Sequence, residues 1–288
     1  MKKLLAMLLC GVLTVSMLAG CGSKETQEET APAQEEAEEE TAETADAADT
    51  ASDTTGKPLD GVHLVVGLSP TYANFETVAE GSGEYEGIDI EILAALADKC
   101  GFTYEISNMN FASLIAAIQA NQVDFVISGM SATDERREAV DFSDGYYTEK
   151  LGILFRTEDG FQSAADLNGK TVSCANGENY EMKIPLIEGV TLTTFENGAT
   201  AIQELIAGRT DAVMTDGGNC QVRCEENPEL SYFVIDPEEI GDTPSQYAIA
   251  FPKESEYYET INNALKELKD EGVIHEIVAS WLGEENAD

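Results

Sequence analysis

The chain reads as an α/β protein with mostly parallel sheets, and three observations carry that reading. From Leu64 onward, short apolar strand patterns alternate with stretches of helical period. The alternation runs through twice, so the folded part contains two similar halves. Everything before Pro58 is a leader and a run of acids and small residues, which leaves residues 58–288 as ample material for two α/β lobes.

In the first half, Leu64–Gly67 reads as a short buried strand and Glu84–Gly87 ends a Gly-rich turn. Ile90, Leu93, Ala94 and Ala97 then recur at helical spacing, and Cys100-Gly101 supplies a helix stop. Thr103–Ile106 is a second strand; Leu114, Ile115 and Ile118 mark a second helix, and Val123–Ile127 a third strand. The second half gives strands at Lys170–Cys174, Val190–Phe195 and Asp211–Met214, with helices over Asn179–Leu186 and Ala199–Ala207. Ile249–Phe251 is a further strand, Ile261, Leu265 and Leu268 mark a helix, and Val273–Leu282 makes a terminal one. IQANQVDFVISG (Ile118–Gly129) and LIAGRTDAVMTD (Leu205–Asp216) can be laid over each other, both running from helix end through a turn and an Asp to three apolar residues. Chance likeness between two βα units is the alternative.

The 55 Asp and Glu against 16 Lys and Arg give a formal charge of −39. That excludes nucleic acid as a natural partner, because a phosphate backbone needs a basic surface. Met1-Lys2-Lys3 precedes Leu4–Ala19, apolar except for Thr14 and Ser16: marginal as a span, better as a secretory signal. Gly22–Lys57 holds nine Glu and three Asp against Lys24 and Lys57, with no aromatic or large aliphatic residue. Such a segment is expected to be a disordered tether spanning about 33 Å as a coil. An acidic interaction tail is the rival reading.

Ligands of open parallel sheets bind beyond the carboxyl ends of strands. The rule picks out Ser69–Phe75, Ser128–Arg136, Asn176–Tyr180 and Thr215–Asn219. These windows offer Arg136, the acid Asp216, the hydroxyls of Ser131 and Thr133, and the aromatics Tyr72 and Phe75. A guanidinium matches a carboxylate bidentately and a carboxylate suits an ammonium, so the set complements a free amino acid. Spacing alone leaves plainer readings open. Arg136, among Asp134, Glu135 and Glu138, is also a solvated helix residue; Thr133 and Asp216 are also helix caps; Tyr72 and Phe75 are also core aromatics.

Two resemblances sharpen this. Leu18-Ala19-Gly20-Cys21 resembles the lipobox of bacterial lipoproteins, whose Cys becomes the acylated first residue of the mature chain. It implies a signal peptide over 1–20, then lipidated Cys21 and the tether over 21–57; two or more acyl chains hold a protein stably at a membrane. An ordinary signal peptide with a chance Cys is the alternative. Gly87-Ile88-Asp89-Ile90-Glu91, Ser128–Arg137 (SGMSATDERR) and Val140–Tyr147 (VDFSDGYY) resemble the polar amino-acid binding proteins, family 3 of the bacterial extracytoplasmic solute receptors. The likeness covers Leu59–Gly283 and includes Gln246–Lys253 (QYAIAFPK).

That resemblance implies a two-lobed periplasmic-binding-protein-like (type II) clamp with two hinge strands, near Lys150 and Gln246. Lobe 1 would be 58–149 plus 247–288 and lobe 2 150–246. It further implies a monomeric receptor, not an enzyme and without a cofactor, that passes a free amino acid to the permease subunits of an ABC importer. By this likeness Arg136 holds the ligand α-carboxylate with Ser131, and Asp216 takes the α-ammonium with the Gly129 carbonyl. Tyr72 and Phe111 sandwich the ligand side chain, and Ser69, Glu178 and Asn179 complete the site. Three positions depart from the pattern. Ser69 stands where many relatives carry a side-chain-reading Asp, Ala175 replaces a Lys of some glutamine binders, and Glu178 replaces a Ser or Thr. Glu178 is turned away as a helix-terminus complement, or else faces a cationic ligand side chain.

Enzyme patterns mostly fail. The two His, His63 and His275, lack metal-ligand spacing, and no GxSxG elbow exists. The same fold also resembles cyclohexadienyl dehydratases, in which Glu178 would serve as a general acid; this is the alternative function. Cys100, Cys174, Cys220 and Cys224 are expected as free thiols.

Overall fold

The computed structural model describes residues 56–79 and 81–286. The expected leader, Cys21 and the tether up to residue 55 lie outside the described residues. Two five-stranded sheets organise the rest. In the first, His63–Leu68 lies between Thr103–Asn108 and Phe125–Val126, all parallel, and Ala250–Phe251 runs antiparallel between Phe125–Val126 and Asp141–Phe142. In the second, Thr171–Ala175 lies between Thr191–Phe195 and Ala212–Asp216, again parallel. Leu151–Arg156 then runs antiparallel between Ala212–Asp216 and Leu230–Ile235.

Parallel order therefore holds for three strands of each sheet. The strand that breaks it, Ala250–Phe251 in one and Leu151–Arg156 in the other, is the one whose chain arrives from the opposite sheet. No crossover helix sets its direction. Between the sheets the chain passes twice, and the two passages pair antiparallel, Tyr147 opposite Tyr247 and Thr148 opposite Gln246.

The likeness of the halves extends to a shared device. Asp124 accepts a hydrogen bond from the Val65 N–H (2.7 Å), and Asp211, its counterpart in the aligned segment, accepts one from the Thr171 N–H (2.8 Å). Each thus ties the start of a third strand to the middle one of the three parallel strands of its own sheet. Thr133 and Asp216 do cap helices, accepting from the N–H of Arg136 and of Gly218. The helix expected over Asn179–Leu186 is shorter: Tyr180–Lys183 is α-helical, and Ile184–Leu186 tightens into a 3₁₀ turn at Pro185. Three strands of these sheets, Asp141–Phe142, Leu151–Arg156 and Leu230–Ile235, were not singled out by patterning.

Each sheet has its own apolar core. In the first, Ile88, Ile92, Leu93 and Leu96 line one face of the Ile88–Cys100 helix and are fully buried. They pack with Ile261, Leu265 and Leu268 of Tyr258–Asp270 and Ile274, Val278 and Leu282 of Val273–Leu282. Burying each such side chain contributes roughly 1.5–3 kcal/mol. In the second, Ile153, Val172, Ile184 and Met214 anchor the core. Among the described residues no helix is long and apolar enough to cross a membrane. The four described cysteines are free.

Gly87 controls the entry to the first long helix. Its φ of 128° lies outside the range of L side chains, and a Cβ there would sit 2.3 Å from the Phe75 carbonyl oxygen. That close approach lets the Phe75 carbonyl accept from the Asp89 N–H at 2.9 Å. Gly87→Ala should destabilise the protein by about 2–4 kcal/mol in urea unfolding. Gly208→Ala, at φ 73° with no atom within 4 Å of the added carbon, should cost only about 1 kcal/mol.

Candidate functional site

The strand ends of both sheets converge on one cleft. The loop after His63–Leu68 contributes Ser69, Tyr72 and Glu76, and Phe111 follows Thr103–Asn108. The loop after Phe125–Val126 brings Ser128, Gly129 and Ser131, and the short Asp134–Ala139 helix brings Arg136. From the second sheet come Glu178, Asn179 and Tyr180, beyond the Thr171–Ala175 strand. The passages between the sheets supply Glu149 and Tyr247.

Eight of the nine ligand positions expected from the sequence line this cleft: Ser69, Tyr72, Phe111, Gly129, Ser131, Arg136, Glu178 and Asn179. Arg136 spans it. Nη1 donates to the Ser131 carbonyl (2.7 Å) and Nη2 to the Gly177 carbonyl (2.8 Å), so one guanidinium ties loops of both sheets. It also lies 5.4 Å over the Phe111 ring. Tyr72 stacks on Phe75 at 5.0 Å, and its hydroxyl meets that of Tyr247 at 2.8 Å. Of the two aromatics first singled out, Tyr72 belongs to the cleft and Phe75 to the core.

Asp216 is the position the structure places elsewhere. It is fully buried and does not line the cleft. Its oxygens accept from the N–H of Gly218 (2.8 Å), the N–H of Lys150 (2.8 Å) and the Tyr147 hydroxyl (3.1 and 3.2 Å). The capping reading accounts for the bond from Gly218, and the other two tie Asp216 to the passage that carries Tyr147 and Lys150.

The cleft is rich in carboxyl groups. Glu178 is partly exposed, and Oε2 accepts from the Ala175 N–H at 3.2 Å. It thus faces the cleft and folds back on its own turn at once. Burial pushes its pKa up to about 7, and the Arg136 charge pulls it back only in part. Burial likewise lifts Asp216 to about 7 and Asp89 to about 6. Glu76 and Asp89 form a buried pair behind Tyr72. Burial first, and the Asp89 charge second, drive Glu76 well above the carboxylate range, so Glu76 carries the proton.

Sequence reasoning missed Glu76, Ser128, Glu149, Tyr180 and Tyr247. Glu76 lay one residue beyond a strand-end window, and Ser128 lay inside one without being selected. Glu149 and Tyr247 sit on the passages between sheets, where no strand-end rule points. Among the described residues no group of His, Cys, Asp and Glu is arranged to hold a metal ion.

Comparison with known proteins fits this geometry. Residues 64–284 match the model of the bacterial extracellular solute-binding proteins, family 3. The arginine-binding extracellular protein ArtP of Bacillus subtilis is 36% identical over 234 residues, covering 80% of this chain and 90% of the relative. The ABC transporter glutamine-binding protein GlnH of the same organism is 28% identical and covers 100% of both chains. A solved structure of the arginine-, lysine-, histidine-binding protein ArtJ from Geobacillus stearothermophilus superposes with a TM-score of 0.71 at 32% identity, over 77% of this chain and 95% of that one. With a family model matched across almost all of the folded part, the chain belongs to the bacterial extracellular solute-binding proteins, family 3.

Proposed function

We propose that the protein is the extracellular receptor of an ABC importer for an amino acid with a cationic side chain, arginine foremost. The observation that carries this reading is the charge of the cleft. A single guanidinium, Arg136, faces the carboxyl groups of Glu149 and Glu178 in a cavity walled by Tyr72 and Phe111. Arg136 suits the α-carboxylate, while Glu178 suits a cationic head and the aromatic faces suit the carbon chain between. The names of the arginine-binding relatives support the same choice, and Ala175 and Glu178 weigh against glutamine.

In this reading residues 58–149 with 247–288 form one lobe and 150–246 the other, and the passages near Lys150 and Gln246 act as hinges. A ligand that touches both lobes only when the cleft is shut shifts the population toward closure. Residues 1–20 serve as a signal peptide, and acylated Cys21 with the acidic tether holds a monomeric receptor off the membrane near its permease. The dehydratase alternative gains no support from relatives that are binding proteins by name.

Calorimetric titration of unfolded and refolded protein with the common amino acids tests the reading. L-arginine or L-lysine should bind one-to-one and more tightly than glutamine, and Arg136→Ala should weaken binding by at least about 100-fold. Preference for an acidic or apolar amino acid would overturn it.

Binding should also depend on pH with a definite sign. The anionic form of Glu178 attracts a cation, and the group titrates near pH 7, so affinity should fall as pH drops from 8 to 5.5. Glu178→Gln should remove the part of that dependence that lies near pH 7, as read by titrations across the range.

A further inference from the structure

The two passages carry the chain between the sheets, and a further connection joins the same halves through side chains. Leu282 ends the Val273–Leu282 helix and is buried in the first sheet's core. Its side chain lies against Gly218, near the start of the Gly217–Glu226 helix. That helix packs on Leu151–Arg156 and Leu230–Ile235 of the second sheet. A Cβ at Gly218 would sit 2.6 Å from Leu282 Cδ2, so only glycine admits the contact as it stands. The turn after the helix completes the bridge. Lys150, on the first passage, donates from Nζ to Asn286 Oδ1 at 2.7 Å, and Asn286 Nδ2 donates to the Leu282 carbonyl at 2.7 Å. Lys150 is also held by its backbone: its N–H donates to Asp216, and its carbonyl accepts from the Gly217 N–H at 2.9 Å. Lys150, Gly218, Leu282 and Asn286 all lie outside the lining of the cleft.

We infer, on the two-lobed reading above, that Leu282 and the Glu284–Asn286 turn form a strap across the hinge that sets how readily the cleft opens. Contacts made at fixed distances favour the arrangement that satisfies them over any rotated one. In this same arrangement the cleft is bridged. Arg136 reaches the Gly177 carbonyl, and Asn110 Nδ2, beyond a strand of the first sheet, donates to Glu196 Oε1, beyond a strand of the second, at 3.2 Å. Strap and shut cleft therefore belong to one state, and loosening the first lowers the population of the second.

Disulfide trapping across the cleft tests the strap without any ligand. Asn110→Cys combined with Glu196→Cys replaces two exposed side chains that touch in this arrangement. Under mild oxidation of the full chain they should cross-link at a rate set by how often the cleft is shut, as read by peptide mapping. In that background Asn286→Ala and Lys150→Met should each slow trapping by about 3- to 10-fold. The two together should do little more than either alone, since both remove one bond. Gly218→Ala favours the helix itself but wedges Leu282 away, and should slow trapping as well. Each variant should weaken L-arginine by the same factor, because binding draws on the shut population. Unchanged or faster trapping in all three variants would overturn the strap. Slowing seen only at temperatures where a variant has begun to unfold would overturn it too, leaving the turn a plain structural cap. If trapping slows as expected and no cationic amino acid binds, the strap stands and the ligand reading alone falls.

Discussion

The Tyr247 hydroxyl joins side chains of the two sheets at the centre of the passage between them. It meets the hydroxyl of Tyr72 from the first sheet at 2.8 Å and that of Tyr180 from the second at 3.1 Å. The backbone around it is as constrained. Gln246 accepts from Ala132, Ala248 donates to Met130, and Tyr247 accepts from Tyr146, so the returning strand is threaded between the cleft loop and the outgoing passage. A buried hydroxyl without partners costs about 1–3 kcal/mol, so the three tyrosines hold one another in register. The cleft exists in its present shape because this register places Glu149, Ser131 and Asn179 around one small volume.

Carboxyl groups give the cleft its chemistry through the environments they occupy. Glu76 is neutralised first by burial and then by the Asp89 charge, Asp216 caps a helix and holds Tyr147 and Lys150, Glu178 titrates near pH 7, and Glu149 accepts from Ser131 and Asn179. Four acids of similar kind thus have four different roles. Arg136 binds the arrangement together, since its bonds to the carbonyls of Ser131 and Gly177 cross between sheets and leave its charge facing Glu149 and Glu178.

The fold was legible wherever burial imposes a period. The six strands with parallel neighbours, and the helices with an apolar face, follow from spacing because each must bury apolar side chains. Leu151–Arg156 and Leu230–Ile235 escaped because neither is flanked by the strand–helix alternation that identified the others. The first is an apolar run directly after a passage, and the second alternates in burial but follows a polar helix. Eight of the nine positions implied by the resemblance line the cleft, and Asp216 is buried outside that lining.

What the sequence by itself determined was residue type and local period: a chain of two α/β halves after an acidic lead, with Arg136 and a set of hydroxyls and aromatics at strand ends. Local backbone preference and side-chain spacing suffice for that, because they act over one or two turns. Only the tertiary structure decided which acids line the cleft and which are closed off in the interior. Glu149 and Asp216 are 67 residues apart in numbering and chemically alike, and their difference arises from what the other sheet brings against them. Burial and hydrogen-bond supply are properties of the packed site, and no stretch of sequence carries them alone.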